Sequence, residues 1–153
     1  MRDYAGAKAD ASLLDWLLRH HRSLLTADTH GWALVSYALL ATEQSLRTVT
    51  WMKDWRTRTD APVWALDNLA IALRTVGDHE TAREVSLRAL ELSPNNLDAR
   101  TWLAVDAARE DRPEELNALL TEIDPARVRP YFQNLLTLLS AYPQAIPTGD
   151  STP

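Results

Sequence analysis

The chain has 153 residues, 46% hydrophobic and 24% charged, with 16 basic against 21 acidic side chains and a formal net charge of −5. That length makes one domain, long enough to bury roughly 68–70% of its unfolded surface, and the composition is that of globular material rather than of a disordered or fibrous chain. The absence of cysteine excludes disulfide staples, thiolate metal sites and cysteine nucleophiles, and the acidic balance argues against nucleic acid, whose binding needs a concentrated basic face.

In chain order the pattern is helical throughout, without the sustained alternation or β-branched clusters that strands need. Leu14, Leu17, Leu18 and Leu25 predict a first helix over 7–25. Thr26, Asp28 and Thr29 supply capping oxygens for a helix over 30–41, and a partner follows over 45–58. Asp60 and Pro62 open the next helix, 63–76, which Gly77 closes, and Asp78 caps another over 79–92. The turn SPNN at 93–96 leads to a helix over 97–109. Asp111 and Pro113 then start one over 113–123, where Leu116, Leu119, Leu120 and Ile123 keep i, i+3, i+4, i+7 spacing. After Asp124 and Pro125, a last helix over 129–142 carries Phe132, Leu135, Leu136 and Leu139. The proline-bearing residues 143–153 predict a disordered tail. Eight helices with short connections imply antiparallel neighbours within a single domain over 1–142.

A spacing of 34 residues runs through 29–130 without a gap. Leu69, Ala70 and Leu73 shift upstream to Val35, Ser36 and Leu39, and downstream to Leu103, Ala104 and Ala107. Such a period marks stacked supersecondary units, none of which buries its apolar face alone. The second helices are less regular. The place of Ala82 holds Thr48 and Leu116, and that of Ala89 holds Trp55 and Ile123, so the flanking second helices are expected to pack further apart or at altered angles.

The stretch WALDNLAIALRTVGDHETAREVSLRALELSPNN, 64–96, resembles the tetratricopeptide repeat family. The family's leucine-then-small pair matches Leu69 and Ala70. Its turn glycine matches Gly77, its second-helix alanines Ala82 and Ala89, and its terminal proline Pro94. The resemblance implies an all-α, right-handed α-solenoid of antiparallel helix pairs, with repeats over 29–62, 63–96 and 97–130 and extra helices at both ends. That layout fits a self-capped array and a piece of a longer chain alike.

In this family the first helices line a concave groove that holds an extended peptide or a partner's helix. Carried over, the groove places are Tyr37 from the first repeat and Trp64, Asp67, Asn68, Ile71 and Arg74 from the second. The third adds Asp98, Thr101, Trp102, Val105 and Arg109. Tryptophan, tyrosine and arginine are the types most enriched in binding hot spots. The alternative for Trp64 and Trp102 is packing against neighbouring helices. The family's clamp for a terminal carboxylate is not implied, because Asn68 alone fits it and the other places hold Ala33, Tyr37, Asp98 and Trp102. The expected function is a protein–protein interaction module for a peptide or partner helix. The alternative is a structural, docking or self-associating module, including a homodimer, with Trp51 and Trp55 or the last helix as contact.

No enzyme, metal or cofactor is expected. His20 and His21 point about 100° apart on a helix and read as surface histidines. Asp78, His79 and Glu80 open a helix, where acidic residues favour the macrodipole. Glu110, Asp111, Glu114 and Glu115 lack the spacing of a calcium loop, and no phosphate loop or nucleophile elbow occurs. Trp51, Met52 and Trp55 read as core, and Arg47, Lys53, Arg56 and Arg58, interrupted by Asp54, as a solvated helix face. No apolar run reaches the ~20 residues of a membrane span, and the start MRDYAGAKADAS lacks a secretory core. The expected setting is therefore the cytoplasm, without a membrane partner. Arginine-dominated basic charge and abundant alanine point to a bacterial genome.

Overall fold

The structure, a computed structural model, describes residues 4–145, and the side chains of 10–130 and 132–141. Among the described residues every regular element is helical. These are α1 (Tyr4–His20), α2 (Arg22–Ala27), α3 (Thr29–Ala41), α4 (Ser45–Trp51), α5 (Val63–Val76), α6 (His79–Leu92), α7 (Leu97–Arg109), α8 (Pro113–Thr121) and α9 (Pro130–Ala145), with a 3-10 turn at Pro125–Arg127. They form two compact units, Met1–Ala89 and Leu90–Pro153.

The 34-residue spacing is present in the backbone itself. α3, α5 and α7 start at residues 29, 63 and 97, and α4, α6 and α8 at 45, 79 and 113. The residues before the first helices, Asp28, Pro62 and Asn96, are all extended, with ψ of 119°, 141° and 93°. Asp28 and Asn96 accept from the amides of Gly31 (2.7 Å) and Ala99 (3.1 Å), which satisfies donors that a helix start leaves open. Pro62 presets its φ of −62° instead.

The far ends of the same helices repeat as well. The chain passes through left-handed φ at Glu43 (62°), Gly77 (88°) and Asp111 (54°). The amides of Gln44, Asp78 and Arg112 donate to the carbonyls of Leu39, Leu73 and Ala107 at 2.9, 2.9 and 2.8 Å. Those of Glu43, Gly77 and Asp111 donate to Leu40, Arg74 and Ala108 at 3.0, 3.1 and 3.3 Å. Together these are the two bonds of a Schellman turn, made three times over. Only the middle one is marked by a glycine. Glu43 and Asp111 hold a conformation that costs an L-residue roughly 1–2 kcal/mol.

Packing in the first unit follows one stripe per helix. α3 buries Trp32, Val35 and Leu39, α5 buries Leu66, Leu69, Ala70 and Leu73, and α6 buries Ala82, Val85 and Ala89. Thr48 and Trp55 are as buried as the alanines whose places they take. The cost falls on helix length. α4 ends at Trp51 rather than at residue 58, and the chain continues in tighter i→i+3 turns, with Trp55 N–H on the Met52 carbonyl and Thr57 N–H on that of Asp54, both at 3.0 Å. An indole where the central repeat has a methyl group needs more room than a close-packed helix leaves. The first predicted helix is also two, because His21 breaks it at φ −128°, ψ 17°.

In the second unit Leu116 packs with Ala104, Ala107 and Leu139, and Phe132 with Ile123, Val128 and Leu136. α8 stops at Thr121, two residues short of the expected end, while α9 continues to Ala145 and takes in the start of the expected disordered tail. The rest of that tail, 146–153, lies outside the described residues.

The three turns give opposite signs for one kind of substitution. Gly77→Ala should destabilise by about 1–2 kcal/mol on conformational grounds alone, since nothing lies within 4 Å of an added Cβ. Glu43→Gly should stabilise by about 0.5–1 kcal/mol, after the entropy of the added glycine is subtracted. Urea unfolding measures both, and equal signs would refute the shared geometry. Ala70 is 2% exposed, and Ala70→Leu should cost roughly 1–3 kcal/mol by overpacking; a neutral result in the same assay would mean the helix register is wrong.

Candidate functional site

The surface with most to offer a ligand belongs to α3 and α5, neighbouring helices of the first unit. Both bury one stripe and leave the other open. On α5 the open stripe is Trp64, Asp67, Asn68 and Ile71, at helical spacing on one side. Trp64 is 40% and Ile71 37% exposed, large areas for apolar side chains on a folded surface. Between them the Asn68 side-chain amide nitrogen is buried and has no hydrogen-bond partner among the described residues. A buried donor left open costs about 1–3 kcal/mol. On α3 the places 34 residues earlier hold His30, Leu34 and Tyr37, all exposed, Tyr37 at 58%. The stripe thus combines aromatic and aliphatic contact area with one unspent donor.

Arg74, the fifth groove place on α5, is turned to its own scaffold. Its two terminal nitrogens each lie 3.2 Å from the Ser86 hydroxyl of α6, to which they donate. It holds the α5–α6 pair together at the end where Gly77 turns the chain.

What aims α5 is the irregular connection 52–62, and that is held by a cluster the sequence does not advertise. Asp54 accepts from the Trp32 indole at 3.1 Å and from Arg58 Nε at 2.9 Å. Arg58 lies over the Trp32 ring, 4.6 Å from its centroid, and donates to the Thr26 carbonyl at 2.6 Å. From α6, Arg88 donates to the carbonyls of Trp55 (2.8 Å) and Arg58 (2.6 Å). The Trp51 indole donates to the Trp32 carbonyl at 2.9 Å.

This overturns two expectations. Arg58, only 12% exposed along its side chain, is no part of a solvated helix face. Arg47 and Arg56 do lie at the surface, paired with Asp15 at 2.6 Å and Glu84 at 2.5 Å. Trp51 and Trp55 are 7% and 6% exposed, so they form core and offer no contact surface to a partner.

In the second unit the carried-over places are largely occupied. Thr101 is fully buried, and its hydroxyl donates to the Leu97 carbonyl at 2.8 Å. Trp102 is half-buried and meets Phe132 edge-on, with centroids 5.7 Å apart at 88°. Val105 packs against the core there. Arg109 is exposed, 3.5 Å from Glu110 and 3.8 Å from Asp106, a carboxylate that is itself buried. Asp98 pairs with Arg129 at 2.8 Å. Of the two groove tryptophans, then, Trp64 is open and Trp102 packs within its unit.

The residues set aside as non-catalytic have structural partners. Asp78 accepts from the Thr81 amide at 3.1 Å as a helix cap. Arg112 pairs with both Glu110 and Glu115. His20 and His21 lie on either side of the Trp16 ring, 5.1 and 5.3 Å away. Among the described residues no group of three or more histidines and acids could hold a metal ion, and no helix is long and apolar enough to cross a membrane. No protein-family model, curated protein or solved structure matches the chain.

Removing Arg58 tests the staple. Arg58→Ala should cost roughly 1–3 kcal/mol by leaving Asp54 and the Thr26 carbonyl short of a charged donor. Because the guanidinium covers Trp32, a shift in tryptophan emission should accompany the loss in unfolding free energy; an unchanged midpoint and spectrum would show that the connection is held by other means.

Proposed function

We propose that the chain is a tetratricopeptide-like helical-repeat module whose α3/α5 face holds an extended peptide or a partner's helix. The single observation that carries this reading is the open amide of Asn68, buried between the exposed Trp64 and Ile71. A main-chain carbonyl is the natural acceptor for such a donor, and extended peptides present one at every residue. The flanking rings supply apolar area with little rotamer entropy to lose. The helix starts and Schellman turns at intervals of 34 residues support the repeat architecture. Non-catalytic binding also agrees with the structural partners found for Asp78, Glu110 and Glu115.

Selecting peptides from a displayed random library on the intact protein provides the probe, and calorimetry on a selected peptide the measurement. Trp64→Ala should weaken binding at least tenfold, about 1.4 kcal/mol or more. Asn68→Ala should weaken it about fivefold to tenfold by removing one hydrogen bond. Neither side chain is core, so unfolding midpoints should hold. Selected peptides that bind both variants with unchanged affinity would overturn the assignment of the face.

A further inference from the structure

α1 and α2 carry an apolar face that their own unit leaves uncovered, and it shares no residue with the α3/α5 stripe. Leu14 and Leu18 turn inward and are buried. On the opposite side Asp10, Leu13, Trp16, Leu17 and His20 fall within about 120° of arc. Leu13 is 58% and Trp16 47% exposed. α2 continues the exposure, with no buried residue of its own and Leu24 at 69%. Two leucines and a tryptophan in one exposed row form a contiguous patch rather than scattered apolar residues.

The charges on this face are sorted along the helix. Asp10 stands at the N-terminal end, and Arg19, His20, His21 and Arg22, all exposed, at the C-terminal end. A parallel neighbour of the same kind would set acid against acid and base against base. An antiparallel one does the reverse: Asp10 of each copy meets Arg19 and His20 of the other, and Leu13 of each meets the other's Leu17. Such a surface is complementary to itself about a twofold axis, as an isologous dimer contact must be. We infer that α1 is a self-association face on which a second copy of this chain docks antiparallel, with the two Trp16 rings beside the axis. A patch of this size lies at the small end of specific interfaces, so the dimer is reversible, with a dissociation constant in the micromolar range.

Sedimentation equilibrium on the full chain, from about 1 µM to about 300 µM, tests this. The weight-average mass should rise from one chain towards two. Trp16→Glu and Leu13→Glu should each hold the protein monomeric across that range, with far-ultraviolet dichroism and unfolding midpoint unchanged. Asp10→Arg should weaken the dimer at least fivefold, and adding Arg19→Glu and His20→Glu to it should restore association. Because these three positions are exposed, the charge series decides the matter even if a glutamate variant unfolds. A wild-type chain that stays monomeric throughout, a dimer indifferent to Trp16→Glu and Leu13→Glu, or a charge reversal that restores nothing would each overturn the inference.

Discussion

The left-handed turn at residues 43, 77 and 111 is the constraint on which the rest of the architecture hangs. It ends α3, α5 and α7 after the same number of positions in each repeat, satisfies two carbonyls that the helix end would leave open, and starts the next helix two residues later. Its backbone dihedrals are bought at unequal cost. Gly77 has no Cβ to oppose φ of 88°, whereas Glu43 and Asp111 do. That the chain makes the same turn with glutamate and aspartate means that packing on either side dictates it. Local preference follows.

Because the turn fixes only where a second helix begins, each is free to end where its packing allows. α6, with Ala82 and Ala89 against its partner, runs 14 residues. α4 and α8, with Thr48 and Trp55 or Leu116 and Ile123 in those places, run seven and nine. A shortened helix leaves backbone carbonyls unspent, and these must find donors elsewhere. In the first unit the account closes through arginine. Arg88 takes the carbonyls of Trp55 and Arg58, and Arg58 takes that of Thr26 while its charge is met by Asp54. The cluster of Trp32, Asp54, Arg58 and Arg88 thus replaces the missing turns of α4 and sets where α5, with Trp64 and Asn68, can begin.

The first helices were legible because small and apolar residues recur there at a fixed interval, and burial at Leu39, Leu73 and Ala107 reads directly as a 34-residue period. The outer turns were not, since a glutamate or an aspartate carries no sign of left-handed φ. Arg58 was misread for a related reason. A guanidinium looks solvated in sequence, and only the placement of Trp32 and Asp54 beside it shows that it is stacked and paired. The helix over 45–58 failed where bulk at Trp55 overrode a continuous pattern. Of the candidate site, the spacing located the exposed stripe of α5 but could not separate Trp64, which is open, from Trp102, which Phe132 meets edge-on.

One position shows how function separates from scaffold. Leu34, Asn68 and Trp102 stand 34 residues apart, each five residues after its helix start. The backbone around them is nearly the same, yet Leu34 is 47% exposed, Asn68 holds an unmet donor, and Trp102 packs on Phe132 of α9. Period and turn chemistry are indifferent to what occupies this place, because it lies on the side of the helix that its repeat does not bury. A residue there is selected by whatever covers it: another helix in the case of Trp102, and an occupant supplied from outside the unit in the case of Asn68. The buried amide makes that requirement strongest at Asn68, since water-filled exposure would satisfy it and burial without a partner does not.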